Sequence, residues 1–455
     1  MITRRTASWS VLGGGAAATI GLASLFAVGA PGCGDSAGSP PSAVDAALDA
    51  PPSDAPFDAG DGGDFVDAGP DAASFAALVD DPSRWKPIAN PGACNLHEGN
   101  VVPDPFPKRE WSACGPGCLV TTASLPFAPS VGTYAATLAA DYVSGGVYMT
   151  SSFGNPLARI TRLERLPEGT TIAATMARQA PGTGVLARLG GAAPFMFLML
   201  GGDDQFRFGR APKQAGQPIA WQPDWRSDAN GGPQRFVFDD GIGVGTPGGP
   251  LLMEDDTGPV VQLPGGADRI VGRGKQLVWA AGYTPAIHGY TKAKGHVELV
   301  PLPGRGAIGV ALSDERIVWM SGVRVNDQYT DRRWHWSPRV EDPADVVVHD
   351  GPTIDGSGPL LEDIKTGGDW AAATRCLVPN DLSKCQVIAW NMATNQTVAI
   401  SGRPGAFFWN VLAVSPTELY LGEIVIRPIT HLVDNIVRLE VSALSALAAG
   451  AGWAQ

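Results

Sequence analysis

Two stretches constrain what this chain can fold into more than any other feature. Arg269 to Tyr283 (RIVGRGKQLVWAAGY) and Ile308 to Val323 (IGVALSDERIVWMSGV) each run as an alternating apolar segment, a polar turn, and a second apolar segment centred on Trp279 or Trp319. Side chains on a strand alternate sides at every residue, and tight turns need Gly, Asp or Ser. The phrase therefore predicts a β-hairpin with one face buried. Looser copies centre on Tyr148, Phe197, Trp370 and Tyr420, so that successive centres lie 49, 82, 40, 51 and 50 residues apart. The interval of 82 is close to two units and contains the apolar runs Gln234 to Phe238 and Pro250 to Met253. A period of roughly 40 to 50 residues carrying about four strands predicts an all-β ring of small sheets, a β-propeller of seven blades, with six as the alternative.

Composition agrees with many short strands joined by tight turns: 58 glycines, 39 prolines and only 17% charged residues. The ring is expected over residues 119–447, after a cysteine-containing extension at 73–118 and before a short tail at 448–455. The last repeat, from Asn410 to Leu444, is one strand short, whereas Leu119 to Leu125 (LVTTASL) is a strand to spare. The N-terminal strand is therefore expected to complete the C-terminal sheet.

Residues 1–33 read as an export signal. Arg4 and Arg5 are followed by an uncharged stretch rich in Ala, Gly and Leu that ends at Ala30-Pro31-Gly32-Cys33. Thr3-Arg4-Arg5-Thr6 resembles a twin-arginine signal, and the end resembles a bacterial lipobox, which would make Cys33 the lipidated first residue of the mature chain. Pro31 and the lack of a leucine three residues before the cysteine depart from that pattern. Residues 34–72 hold nine aspartates and no Lys or Arg. Such a stretch buries too little apolar surface to offset its chain entropy and reads as a disordered, self-repelling linker. Of the formal charge of −12, the linker supplies −9 and Arg4 and Arg5 supply +2, which leaves −5 for the rest. A nearly neutral body without a basic block argues against nucleic acid as a partner. After the signal, no apolar run approaches the ~20 residues that cross a bilayer, so membrane contact is expected through the lipid alone.

An exported chain favours disulfides over thiolate metal sites. Cys376 and Cys385 flank Pro379-Asn380-Asp381 and predict a hairpin disulfide. Cys94 is expected to pair with Cys114 or Cys118, leaving one of the three over. Gly243-Val244-Gly245-Thr246-Pro247-Gly248 matches GxGxxG, but the following prolines and glycines cannot open the helix that a dinucleotide site requires, so a turn is expected there. The six histidines show neither HxH nor HExxH spacing, and no metal or other cofactor is expected. No catalytic residue is assigned. The strongest binding candidate is the loop from Val325 to Trp336, where Tyr329, Trp334 and Trp336 accompany Asn326, Asp327 and Arg332; such polar-aromatic surfaces bind sugars or proteins. The favoured reading, however, puts Trp334 and Trp336 on one face of a strand, packed between blades, with a solvated turn before them.

The hairpin centres VYMT, LVWA, IVWM and LYLG are distantly similar to YWTD-type blades, although no copy carries the full Tyr-Trp-Thr-Asp set. With the lipobox-like end, the Asp/Ala/Pro linker and the early cysteines, the chain resembles exported β-propeller lipoproteins of the myxobacterial type. The resemblance implies a fold and an address at the periplasm, outer membrane or cell surface. The expected role is a monomeric binding or scaffolding module for an unknown protein or glycan, favoured over a propeller hydrolase or lyase that acts on glycans from the axial funnel.

Overall fold

The computed structural model describes residues 108–123, the strands and tight turns given below between 134 and 448, and two short strands before them; between 184 and 249 only backbone is described. Residues 1–84, which include Cys33 and the linker, lie outside the described residues, as does Cys94.

The early strands are β1 (Trp85–Pro87), β2 (His97–Gly99), β3 (Ser112–Gly115) and β4 (Cys118–Thr122). The first sheet follows with β5 (Tyr134–Val143), β6 (Gly146–Asn155), β7 (Ala158–Leu166) and β8 (Thr170–Arg178), and β2 and β1 extend it beyond β8. The second has β9 (Gly184–Gly190), β10 (Phe195–Gly202) and β11 (Gln205–Ala211), with the short β12 (Ala220–Trp221) and β13 (Arg226–Ser227) both on β11. The third has β14 (Gln234–Phe238), β15 (Gly241–Gly245), β16 (Leu251–Glu254) and β17 (Val260–Gln262). The fourth has β18 (Arg269–Arg273), β19 (Gln276–Ala280), β20 (Ala286–Thr291) and β21 (Gly295–Pro301). The fifth has β22 (Gly306–Leu312), β23 (Arg316–Val325), β24 (Gln328–Pro338) and β25 (His349–Ile354). The sixth has β26 (Lys365–Gly367), β27 (Trp370–Cys376), β28 (Cys385–Asn391) and β29 (Gln396–Ser401). The seventh joins β30 (Ala406–Val414), β31 (Glu418–Val425) and β32 (Asn435–Glu440) to β4 and β3, and α1 (Val441–Ala448) follows.

Every sheet is antiparallel, and the first strands run round a closed circuit: β5 lies against β9, β9 against β14, β14 against β18, β18 against β22, β22 against β26, β26 against β30, and β30 against β5. This is an all-β propeller. In the first, fourth, fifth, sixth and seventh sheets the packed faces are described; in the second and third, backbone pairing alone is. Five of these sheets are thus described as packed blades, against the expected seven, with six as the alternative. The ring closes where the spare strand was expected to act, since β4 pairs with β32 from Thr122 opposite Asn435 to Cys118 opposite Leu439. β3, from the extension, takes the edge of that sheet.

The recurrent tryptophans are core. Trp279 and Trp319 are fully buried, and Trp319 packs with Val278, Ile287 and Leu299 between the fourth and fifth sheets. Burying such a side chain removes 150–250 Å² of largely apolar surface from water, which is why one per hairpin suffices to seat a sheet on its neighbour. Gly243 and Gly245 fall within β15, which pairs with β14 and β16, rather than in the expected turn.

Both described disulfides join antiparallel partners. Cys376 and Cys385 are opposite each other in the β27–β28 ladder, with Cα atoms 3.9 Å apart. Cys114 bonds to Cys118 across the β3–β4 turn, which corrects the expected pairing of Cys94 with one of them. The turn has Gly115 and Gly117 at φ 151° and 64°, left-handed backbone that only glycine adopts at low cost, and this brings the two Cα atoms to 5.1 Å.

Candidate functional site

The sequence-predicted loop is the β23–β24 hairpin, and the structure divides its residues. Trp334 is fully buried, with its ring 5.7 Å from that of Trp390 in the sixth sheet. Trp336, two residues on and on the same face, is half-buried: it stacks on His349 at 4.1 Å and lies 4.8 Å beneath the Arg316 guanidinium. Both are inter-blade packing, the favoured reading of this strand, and neither belongs to a binding loop. Strand periodicity placed them inward. Tyr329 is partly buried against the same cluster, and Arg332 is half-buried, its guanidinium held below the usual value by desolvation. Asn326 and Asp327 lie outside the described residues. What the sequence reading missed is the apolar exposure nearby: Val325 at this tip, and Leu377 and Val378 at the β27–β28 tip next door, are each close to half exposed. Both tips join a second strand to a third, so they lie on the same face of the ring, and the Cys376–Cys385 bond closes the base of one of them.

The fifth sheet also carries Ser321, His335 and Asp350 in line. His335 Nε2 is 2.8 Å from Ser321 Oγ, and its Nδ1 is 2.8 Å from Asp350 Oδ1. Burial holds the imidazole below its ordinary range and hence neutral, although Asp350 offsets this in part. The carboxylate accepts the hydrogen bond of Nδ1–H, leaving Nε2 to accept one from the serine hydroxyl. The order of groups matches a nucleophilic triad, but the accessibility is inverted. Ser321 is fully buried and its oxygen already accepts from Arg305 Nε at 2.8 Å, whereas the open end is Asp350. No substrate carbonyl can reach the hydroxyl, so the line is a strut across β23, β24 and β25.

This strut gives a pH dependence of known sign. Above the unfolded pKa of ~6.5 His335 is neutral in both states and its contribution is fully present. Because the folded value is depressed, the unfolded chain takes up the proton first, and stability is lost as pH falls below ~6.5. The wild-type melting temperature is expected to fall more steeply from pH 7 to 5 than that of His335→Gln. Parallel curves would show that His335 does not carry the effect.

A second convergence lies at the axis. Arg273, the last residue of β18, reaches across the ring to the first sheet, where Nη1 bonds to the carbonyl of Tyr142 and the guanidinium stands 5.2 Å from that ring. It also grips Asp314 of the fifth sheet with two bonds, of 2.7 and 3.0 Å. Asp141 sits among Arg273, Asp314 and Lys365, so four sheets contribute charge. Asp141 is an exposed residue whose carboxyl is nonetheless crowded by protein. Desolvation pushes its carboxyl above the usual range against the pull of Arg273 and Lys365, while the Arg273 hydrogen bonds hold Asp314 below it. Among the described residues, no group of three His, Cys, Asp or Glu is placed to hold a metal ion.

No protein-family model matches the chain, and no curated protein is detectably similar to it. Among solved structures it is similar to Hsv2 of Kluyveromyces lactis (9% identity, 67% of this chain and 98% of that one, TM-score 0.40). It is also similar to the N-terminal domain of Nup159 (9%, 67% and 89%, TM-score 0.35) and to a chain of a nidogen/laminin complex (13%, 58% and 92%, TM-score 0.30). Likenesses this distant say nothing of the chemistry of this chain.

Proposed function

We propose that the chain is an exported β-propeller that works as a binding module at the cell envelope, anchored by a lipid on Cys33 and held off the membrane by the acidic linker. Its ligand, a protein or a glycan, engages the tips of the fifth and sixth sheets. The carrying observation is the set of solvent-open apolar side chains Val325, Leu377 and Val378, with Tyr329 and Arg332 in the same β23–β24 hairpin as Val325. Two disulfides are compatible with export.

The anchor is tested by radiolabelled palmitate in a Gram-negative host: label is expected on the wild-type chain and not on Cys33→Ser. The binding face is tested on arrays of glycans and envelope proteins. Tyr329→Ala and the double change Leu377→Ser/Val378→Ser are expected to weaken the retained ligand by tenfold or more, about 1.4 kcal/mol, with unchanged melting temperature. Undiminished binding by both variants would move the site off this face.

The axial cluster favours one other reading, a hydrolase or lyase on glycans in which Asp141 serves as acid or base beside Arg273 and Lys365. Turnover of a polysaccharide that Asp141→Asn abolishes supports it; no turnover by the wild-type chain over such a panel removes it.

A further inference from the structure

The fourth sheet holds a pair of imidazoles that neither the binding face nor the axial cluster uses. The turn between β20 and β21 sets Tyr290 opposite His296 and His288 opposite Glu298, and a register shift beside His288 turns the two rings together. His288 Nδ1 lies 3.1 Å from His296 Nε2. Two nitrogens bound to one Zn²⁺ at ~2.0–2.1 Å with near-tetrahedral angles are separated by ~3.3 Å, so the pair already stands at chelating distance.

The rings are also held. Trp279 stacks on His288 at 5.5 Å and lies 5.4 Å from His296. His288 is buried, and its Nε2 backs onto Gly265 so closely that a Cβ there would stand 2.8 Å away. That nitrogen has no hydrogen-bond partner, which leaves Nδ1, directed at His296, as the working end of the ring. His296 is half-buried and gives an ion its path from solvent. The exposed Glu298 places negative charge near both rings.

We propose that His288 and His296 form a two-imidazole chelate for a borderline divalent ion, Zn²⁺, Ni²⁺ or Cu²⁺, with its remaining coordination positions open to water or an external donor. Imidazole nitrogen favours these ions over Ca²⁺ and Mg²⁺, which take oxygen. Entry of the ion requires the N–H lying between the rings to move to the far nitrogen of its own ring. No net proton is released, and both imidazoles remain neutral ligands.

The experiment uses the full chain without an affinity tag, stripped with chelator and titrated with Cu²⁺ and Zn²⁺ by calorimetry, with electron paramagnetic resonance on the Cu²⁺ form. One equivalent is expected, with hyperfine coupling to two imidazole nitrogens, no binding of Ca²⁺ or Mg²⁺, and loss of the step in His296→Ala at an unchanged melting temperature. No saturable binding, coupling to one imidazole only, or the same stoichiometry and affinity in His296→Ala would each overturn the proposal.

Discussion

Replacing Glu164 with glutamine is expected to cost about 3–5 kcal/mol of stability and to loosen the ring where its ends meet. Glu164, on β7, is fully buried; Oε1 accepts from Arg109 Nε, and Arg162 Nε lies 3.4 Å from Oε2. Arg109 in turn donates from Nη1 to the carbonyls of Thr122 at 2.7 Å and Ala123 at 3.2 Å, at the end of the strand that closes the seventh sheet. One carboxylate thus anchors two buried guanidiniums and links the first sheet to the closing one. Without its charge, the buried Arg109 guanidinium loses its carboxylate partner, a far larger penalty than the loss of an exposed pair. Glu168→Gln is the control, because the Arg165–Glu168 pair is 3.8 Å long with both side chains nearly half exposed; its effect is expected within ~0.5 kcal/mol. Urea unfolding of the two variants checks the contrast. A loss below ~1 kcal/mol for Glu164→Gln would show that the cluster does not hold the closure.

The architecture was legible because it repeats locally. Alternation and turn residues mark each hairpin, and the buried aromatic at its centre marks the unit, so the period of Trp279 and Trp319 could be read without any contact being known. The Cys376–Cys385 bond was legible for the same reason, since its partners face each other in one ladder. Cys114 and Cys118 were misread because a pairing within one turn is open only when the backbone turns left-handed twice, as Gly115 and Gly117 allow. The sites were hidden because register and closure assemble them. Ser321, His335 and Asp350 are 14 and 15 residues apart, and Arg273 meets Tyr142 across 131 residues. One signal was available and went unread: Arg305 and Arg403 each follow a glycine just before a first strand, and each reaches back to the second strand of its sheet, to Ser321 and to Glu423. A shared arginine at that position marks where the fold keeps its buried polar partners.

Truncating Trp334 separates the two readings of the β23–β24 hairpin. As a ligand-binding aromatic, its loss would weaken binding and spare the fold; as the inter-blade residue the structure shows, Trp334→Ala is expected to cost about 3–5 kcal/mol. Its ring fills the space between the fifth and sixth sheets among Ile308, Val318, Met320 and Ile388, against Trp390. Gly351 makes that crossing possible, since a Cβ there would strike the Trp390 indole and come within 2.9 Å of Trp334 Cβ. The cavity left by alanine cannot refill from a backbone already in contact. The Trp334 Nε1 proton has no acceptor, so Trp334→Phe removes an unsatisfied donor while keeping most of the apolar surface. Phenylalanine is expected to cost under ~1.5 kcal/mol. Tyr329→Ala, in the same hairpin but only partly buried, is expected to leave the unfolding midpoint close to that of the wild type and to act on ligand binding. Thermal and urea unfolding of the three variants decide it: a Trp334→Ala chain as stable as wild type would return the tryptophan to the binding face, and a Tyr329→Ala chain as unstable as Trp334→Ala would leave that face without its aromatic.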